Sequence, residues 1–317
     1  MVGVYRQDSY DMEGGRMGMG HGVGRVALAW ADIKGSPGWM SKIFRLSLLC
    51  LIPAFGPVVL LGYAFGWARD IAWGVRAPMP ERLLGAEGDP LLARGLCALV
   101  VTIAFALLPA VVNGIWGLIM DIASLWYEDV PFVAHGGFAA WGVMGTILFM
   151  FSLLLTIAAS VFSWVGSIRA SIYGRLSPGL QLSKIWYMMR YDSGGLLRIF
   201  GAFVACLLVT GIVAALVGAA LFVPGFAVAS SLVPAPPADG SLPPQAVGAF
   251  FMVGMWGFFV VFLQMWVACL GIAFATMLAV RAVGYWTQQF DVPRWGGQDD
   301  PMPFEAAYAQ QRWGNGR

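Results

Sequence analysis

Side chains that could bind a metal ion are few in this sequence, and none follows a recognised ligand motif. One set lies in a linker between two apolar runs: Asp121, Glu128, Asp129 and His135. Its spacing is irregular, and a solvated acidic loop is the commoner use of such residues. The soft ligands Met17, Met19 and His21 could suit Cu(I), but they lie in a glycine-rich tail. We expect neither set to be a metal site, and we expect no cofactor.

Catalytic motifs are absent as well. The chain has no P-loop, no HExxH, no GxSxG and only two histidines. Serines and threonines occur in the apolar runs without a histidine or carboxylate beside them, so a nucleophile there would lack a base. The four cysteines, Cys50, Cys97, Cys206 and Cys269, each lie in an apolar run and read as packing residues. We expect this protein not to be an enzyme.

Two polar side chains interrupt the apolar runs. Gln264 lies in the middle of one run, and Asn113 lies late in another. Polar groups in lipid face the interior of a helix bundle, where they line a pathway or bond to a neighbouring helix. The second use contributes about 0.6 kcal/mol and is the commoner.

The elements that carry these residues are membrane helices. The chain is 59% hydrophobic and only 11% charged, too little charge for a water-facing surface of this size. Four runs without Asp, Glu, Lys or Arg exceed the roughly 20 residues of a membrane span: 95–120, 139–168, 199–223 and 246–280. The fold class is therefore all-α, a polytopic helical membrane bundle. The last run is long enough to be tilted or to project beyond the bilayer.

A fifth apolar segment, residues 46–68, is interrupted at its centre. Pro53 and Pro57 flank the break around Gly56, and each proline removes a backbone donor and clashes with the preceding turn. Two halves of about 10–13 residues result, each too short to cross alone. The segment is either a kinked span or a re-entrant hairpin, which the other helices must then surround.

The positions of basic residues predict the topology. All 19 Lys and Arg fall before residue 46, in 69–94, in 169–198 or after 280, whereas the linkers 121–138 and 224–245 contain none. Basic residues collect on the cytoplasmic side. We therefore expect four full spans, both termini cytoplasmic, and a fifth segment that enters and leaves on that side; a five-span topology is the alternative. The basic residues next to membrane segments are Arg69, Arg76, Arg175, Lys184, Arg190 and Arg198.

The two tails and the linkers between the spans are predicted to lie outside the bilayer. A single membrane domain covers residues 25–290, with flexible cytoplasmic tails over 1–24 and 291–317, and the proline-rich linker 224–245 is expected to be extended or disordered. Tryptophans near the span ends, including Trp67 and Trp164, are typical of an aromatic belt.

Two short segments are amphipathic. Residues 26–34 and the central part of 169–198 are expected to form helices at the inner membrane surface, ended by Ser36-Pro37-Gly38 and Ser193-Gly194-Gly195 respectively. The two segments align at an offset of 192 − 36 = 156 residues, with Trp30 opposite Trp186 and Gly38 opposite Gly194. The match suggests an internal repeat, as in many transporters, although biased composition alone could produce it.

Gly62 and Gly66 form a GxxxG pattern within the fifth segment. Small residues four apart allow two helices to approach closely, either within one chain or between two copies. Packing within the chain is the commoner outcome.

The stretch IPAFGPVVLLGYAFGWARDIAWGVRAPMPERL resembles the opening of DUF4013, a family of bacterial and archaeal membrane proteins of unknown function. The shared features are a Pro/Gly-interrupted apolar segment, a Gly-Tyr pair, a basic helix and a Pro-x-Pro with an acidic residue: Pro53, Gly56, Gly62, Tyr63, Arg69, Gly74, Pro78, Pro80 and Glu81. Arg82 departs from the pattern, because the family usually has tryptophan there. The resemblance implies a prokaryotic cytoplasmic membrane and several spans, and it supplies no activity.

Two functions fit these features. The first is a non-enzymatic accessory, scaffold or lipid-interacting protein of the cell envelope, with membrane lipid and a membrane protein or a second copy as partners, and without nucleic acid. The second is a transporter or channel subunit for a small, uncharged solute. The scarcity of polar groups within the runs favours the first.

Overall fold

Every regular element in the described part of the chain is a helix. The computed structural model describes residues 23–83, 91–127, 137–232, 244–290 and 292. Its helices are α1 (Val23–Gly35), α2 (Trp39–Cys50), α3 (Phe55–Ala72), α4 (Leu91–Tyr127), α5 (Gly137–Tyr173), α6 (Leu182–Tyr191), α7 (Ser193–Leu232) and α8 (Pro244–Gln288). A short 3-10 turn, Ser177–Leu180, precedes α6. The predicted all-α class is confirmed.

Helices α4, α5, α7 and α8 are long and apolar enough to cross a membrane, and each contains one predicted run. They have 37, 37, 40 and 45 residues. At about 1.5 Å per residue each exceeds the roughly 30 Å of a bilayer core, so each extends beyond it. The prediction of an extended linker over 224–245 is wrong for its two ends, because α7 continues through Pro224 to Leu232 and α8 begins at Pro244. Residues 233–243 lie outside the described part, as do both predicted tails apart from residues 23, 24 and 292.

The buried core lies at one end of the molecule, which we call the packed layer. It comprises α1, α2, α3, α6 and the adjoining ends of the four long helices, namely the beginnings of α4 and α7 and the ends of α5 and α8. Arg94, Arg169, Arg198 and Arg281 all lie on those four helix ends, so the basic stretches of the sequence share one side of the structure. Beyond the packed layer the long helices separate into two hairpins, α4–α5 and α7–α8, with broad apolar surfaces exposed.

Helices α2 and α3 form a hairpin, in which the beginning of α2 lies beside the segment that follows α3. The Nζ of Lys42 in α2 donates to the carbonyl of Met79, just beyond α3, at 2.8 Å, and the N–H of Met79 donates to the hydroxyl of Ser36 at 2.9 Å. At its other end the hairpin lies on α8, where the indole N–H of Trp266 donates to the hydroxyl of Ser47 at 3.2 Å. The interruption at residues 51–54 therefore reverses the chain and does not merely kink a helix.

Most of α3 is buried by the rest of the chain. Twelve of its 18 residues are buried, against α2, α4, α5 and α8. In contrast, the tip of the hairpin exposes the apolar side chains of Leu48, Ile52 and Phe55.

The turn at the tip includes one strained residue. Ala54 has φ 63° and ψ −47°, and the N–H of Phe55 donates to the carbonyl of Pro53 at 2.7 Å, which defines a γ-turn with positive φ at its centre. This form is rare and strained for a residue with a side chain.

Substitution of Ala54 with glycine is expected to stabilise the protein by about 1 kcal/mol, because glycine adopts positive φ without a steric penalty. Thermal unfolding in detergent micelles measures the change. The matched control is Ala27→Gly, at an exposed position inside α1, where glycine is expected to destabilise by roughly 0.5–1 kcal/mol. A loss of stability in both variants would show that the turn is not strained in the folded protein.

The two amphipathic segments form α1 and α6. Helix α1 ends at Gly35 and α6 ends at Tyr191, again 191 − 35 = 156 residues apart. The break after α1 falls at residues 36–38 as predicted. After α6 the chain breaks at Asp192, and Ser193-Gly194-Gly195 form the first turn of α7 instead of the predicted break. The likeness ends there, because α2 stops after 12 residues whereas α7 is continuous for 40.

Candidate functional site

Residues 73–83, which we call the strap, lie across the packed layer after α3. The helix ends in a Schellman arrangement, in which Gly74 at φ 82° donates to the carbonyl of Ile71 and Val75 donates to that of Asp70, both at 2.8 Å. Pro78 and Pro80 lack an N–H, so the strap cannot continue as a helix.

Side chains of the packed layer bond to the backbone of the strap. The hydroxyl of Tyr63 donates to the carbonyl of Pro80 at 2.7 Å, and the indole N–H of Trp67 donates to that of Ala77 at 3.0 Å. Both side chains are buried, as is Met79. Together with Lys42 and Ser36, they hold the strap in one conformation. The Gly-Tyr pair and the Pro-x-Pro of the sequence are therefore partners in space.

Arg281 of α8 is the centre of a buried polar network beside the strap. Its side chain is 0% exposed, and it bonds to a carboxylate oxygen of Asp32 through Nε at 2.9 Å and through a terminal nitrogen at 2.7 Å. The other terminal nitrogen donates to the carbonyl of Trp67 at 2.6 Å, and the guanidinium lies 4.0 Å from the Trp67 ring centroid. The same oxygen of Asp32 accepts from the hydroxyl of Tyr285 at 2.7 Å. This network joins α1, α3 and α8.

A second buried arginine fixes α6. Arg169, near the end of α5, donates to the carbonyl of Pro178 and to the side-chain oxygen of Gln181, both at 3.1 Å. Asp192 then joins the α6–α7 junction to α1 through Arg25 and to α8 through the indole N–H of Trp286. These contacts attach α6 to the packed layer.

A cavity of about 270 Å³ lies where α3, α4, α5, α7 and α8 converge. Among the described residues no charged side chain lines it, and five of the lining side chains carry a hydroxyl: Thr102, Thr156, Ser160, Ser163 and Thr276. Thr102 donates to the carbonyl of Ala98 at 2.8 Å, so in its 2.9 Å pair with Ser163 the proton belongs to Ser163. Thr156 and Ser160 likewise donate to backbone carbonyls. With their protons so placed, the hydroxyl oxygens of Thr156, Ser160 and Ser163 can act toward a ligand only as acceptors.

The predicted pathway residues Asn113 and Gln264 do not line this cavity. Asn113 accepts from the hydroxyl of Ser152 at 2.6 Å, which joins α4 to α5. Gln264 fills the space above Gly218, which joins α8 to α7. Both side chains therefore bridge neighbouring helices.

The predicted glycines and prolines lie on α3 or at its start. Pro53 belongs to the reversal, and Gly56 lies against the carbonyl of Leu49 with Pro57 beside it. Gly62 lies against the backbone of α4 at Leu91, and Gly66 faces the guanidinium of Arg94. The GxxxG face is thus occupied by a helix of the same chain.

The six predicted interfacial basic residues all lie in or beside the packed layer. Arg69 and Arg94 line a pocket between α3, α4 and the strap, and Arg76 lies over the ring of Tyr285 at 5.8 Å. Arg175, Arg190 and Arg198 are exposed, and Lys184 is half-buried.

The predicted acidic linker and the Met/His tail lie mostly outside the described residues, and only Asp121, exposed on α4, is described. Within the described ranges, no group of three His, Cys, Asp or Glu side chains is placed to hold a metal ion.

The buried network around Arg281 was not predicted from the sequence. Arg281 falls one residue beyond an apolar run, and Trp67 was assigned to the aromatic belt although it is 1% exposed. The sequence held one weak signal for it. Asp32 lies next to Ile33 and three residues from Ala29, and both of these apolar residues are buried in the structure. The hydroxyl cavity had no sequence signal, because its five hydroxyl side chains come from three different helices.

These features define a polytopic helical membrane protein with a packed polar layer at one end of four span-length helices. Residues 45–223 match the family described as "Protein of unknown function (DUF4013)". The match covers just over half of the chain, and the protein belongs to that family. The matched range includes the second half of α2, then α3, the strap, α4, α5, α6 and most of α7, whereas Asp32 and Arg281 lie outside it. No curated protein and no solved structure shows significant similarity to the chain.

Proposed function

We propose that this protein is a non-enzymatic accessory or scaffold protein of the cell envelope, which acts through contacts of its spanning helices with lipid and with other membrane helices. The observation that carries the proposal is the low burial of the spans by the chain itself. Only 22%, 11%, 6% and 17% of the most apolar windows of α4, α5, α7 and α8 are buried. Membrane helices associate through packing, so such faces meet lipid or a partner.

The apolar window of α7 is the least buried of the four. Leu208, Ile212 and Leu216 recur every four residues along one side, and each is more than 60% exposed. Packing of α7 is mainly with α8, and contact with α5 is slight. A partner helix or a second copy of the chain fits this side without rearrangement of the packed layer.

The proposed setting is the cytoplasmic membrane, with both termini in the cytoplasm. The gathering of basic helix ends in one layer supports this orientation. The apolar tip of the α2–α3 hairpin, at Leu48, Ile52 and Phe55, supports insertion of the hairpin from the same side. The hairpin is then re-entrant, with α4, α5 and α8 around it.

Photocrosslinking of the full chain in native membranes tests the proposal. A diazirine amino acid is placed at Ile212 or Leu216, with Ile199, a buried position on the same helix, as the control. The expected result is an adduct of defined mass with another protein or with a second copy from the exposed positions, and crosslinks only within the chain from Ile199. Adducts with bulk phospholipid alone, at both exposed positions, would overturn the accessory role.

The hydroxyl cavity favours a second candidate, a pathway for a small uncharged solute. Its free hydroxyl oxygens are acceptors, so the matching solute is a hydrogen-bond donor such as glycerol or urea. Flux into vesicles that contain the purified protein is the test. Thr156→Val is expected to reduce flux, because it removes an acceptor oxygen from the cavity. The control is Thr210→Val; the Thr210 hydroxyl bonds to the carbonyl of Cys206 outside the cavity, so flux is expected to be unchanged. Absence of flux for both solutes removes this candidate.

A further inference from the structure

A pocket of about 440 Å³ opens between α3, the beginning of α4 and the end of the strap. Three arginines line it, Arg69, Arg82 and Arg94, together with the carboxylates of Asp70 and Glu81. The lining therefore has a formal excess of one positive charge, 3 − 2 = 1. Gly62 and Gly66 also line it; a Cβ at Gly62 would meet the backbone of α4 at Leu91, and a Cβ at Gly66 would meet the guanidinium of Arg94.

Arg69 lines this pocket and carries an unmet donor. Its Nε is shielded from solvent and has no acceptor among the described residues. A buried donor without a partner is costly, and this one belongs to a charged group. The rest of a guanidinium carries four further N–H donors, which can bind oxygens of a phosphate or carboxylate.

Arg94 approaches the same space from α4. Its terminal nitrogen lies beside Gly66, 3.1 Å from the position that a Cβ would take there. Arg82, on the strap, is exposed at the mouth of the pocket. The three guanidinium groups thus come from three separately fixed elements, and the bonds of Tyr63 and Trp67 to the strap hold one wall in place.

We propose that this pocket binds a phosphate group through Arg69, Arg94 and Arg82. Several arginines around one opening are the usual means of phosphate recognition, and the net charge of the lining suits an anion. The pocket lies at the end of a span-length helix, on the side where the basic residues gather, which is the level of lipid headgroups when the helix spans a bilayer. An anionic phospholipid and a soluble phosphate ester are the two sources of such a group.

The inference goes beyond the accessory role and does not depend on it. The pocket belongs to the packed layer, whereas the proposed partner contacts belong to the outer faces of the spans. A loss of phosphate binding leaves the crosslinks at Ile212 unchanged, and the absence of those crosslinks leaves the pocket intact.

Saturable thermal stabilisation of the full chain, purified in a non-ionic detergent, tests the proposal. The probes are inorganic phosphate and dihexanoyl phosphatidylglycerol, with dihexanoyl phosphatidylcholine and sodium chloride at equal ionic strength as controls. Saturation by phosphatidylglycerol alone identifies a lipid headgroup site, and saturation by inorganic phosphate identifies a site open to soluble phosphates. Arg69→Met and Arg94→Met are each expected to weaken binding about tenfold or more.

Arg175→Met is the matched control, because Arg175 is exposed and does not line the pocket. It is expected to bind as the unaltered protein does. If Arg69→Met or Arg94→Met fails to fold, Arg82→Met decides, because an exposed arginine can be replaced without loss of packing; a several-fold weaker affinity supports the site. No saturable effect of either anion, or affinities unchanged in all the pocket variants that fold, would overturn the proposal.

Discussion

Replacement of Arg281 with alanine is expected to lower the free energy of unfolding by about 3–5 kcal/mol, the largest effect of any single substitution considered for this chain. The side chain is fully buried and bonds to Asp32, to the carbonyl of Trp67 and, through its face, to the Trp67 ring. Its removal leaves the Asp32 carboxylate, whose side chain is 23% exposed, without its cation. It also opens a cavity between α1, α3 and α8. Both effects destabilise the packed layer.

The measurement is unfolding in mixed micelles, followed by circular dichroism. Arg190→Ala is the control, because this arginine is exposed on α6, and it is expected to change stability by no more than about 0.5 kcal/mol. The double variant Asp32→Ala/Arg281→Ala is expected to lose less than the sum of the two single losses, by about 0.5–3 kcal/mol. Strictly additive losses would contradict a direct ion pair in the folded protein.

The spans could be predicted from the sequence because lipid imposes a simple rule on composition. A run of apolar residues long enough to cross a bilayer has few other uses. The break around Pro53 was predictable for a similarly local reason, since proline cannot donate within a helix. The reversal into a hairpin needed a further observation, the position of charge on both sides of the segment.

The packed layer could not be predicted in the same way. Its polar bonds join residues far apart in the chain, such as Asp32 with Arg281, and the sequence does not say which basic residue meets which acid. The strap shows the same limit. Tyr63 and Pro80 are visible as a family pattern, but only the fold shows that the hydroxyl of one bonds to the carbonyl of the other. The charged pocket depends on the same tertiary contacts.

The close contact of α3 and α4 has a test in which two glycines of one helix are expected to respond with opposite sign. A Cβ at Gly95 would overlap the carbonyl oxygen of Val58, with its carbonyl carbon at 2.9 Å and the N of Gly62 at 3.1 Å. All three atoms belong to the backbone, which cannot turn aside as a side chain can. Gly95→Ala is therefore expected to cost about 1–3 kcal/mol, in spite of the better helix propensity of alanine.

Gly114 lies further along α4, and apart from its own stretch of helix no atom of the described residues lies within 4 Å of the same position. Gly114→Ala therefore gains the propensity, up to about 1 kcal/mol, without a clash. Unfolding of the two variants in the same mixed micelles gives the comparison, because both replace glycine by alanine in one apolar helix. If the two changes have the same sign, helix propensity alone governs α4 and the Gly62–Gly95 contact is not formed in the membrane protein. Opposite signs mean that the GxxxG face of α3 is already filled by α4, so a second copy of the chain must bind elsewhere, as on the exposed side of α7.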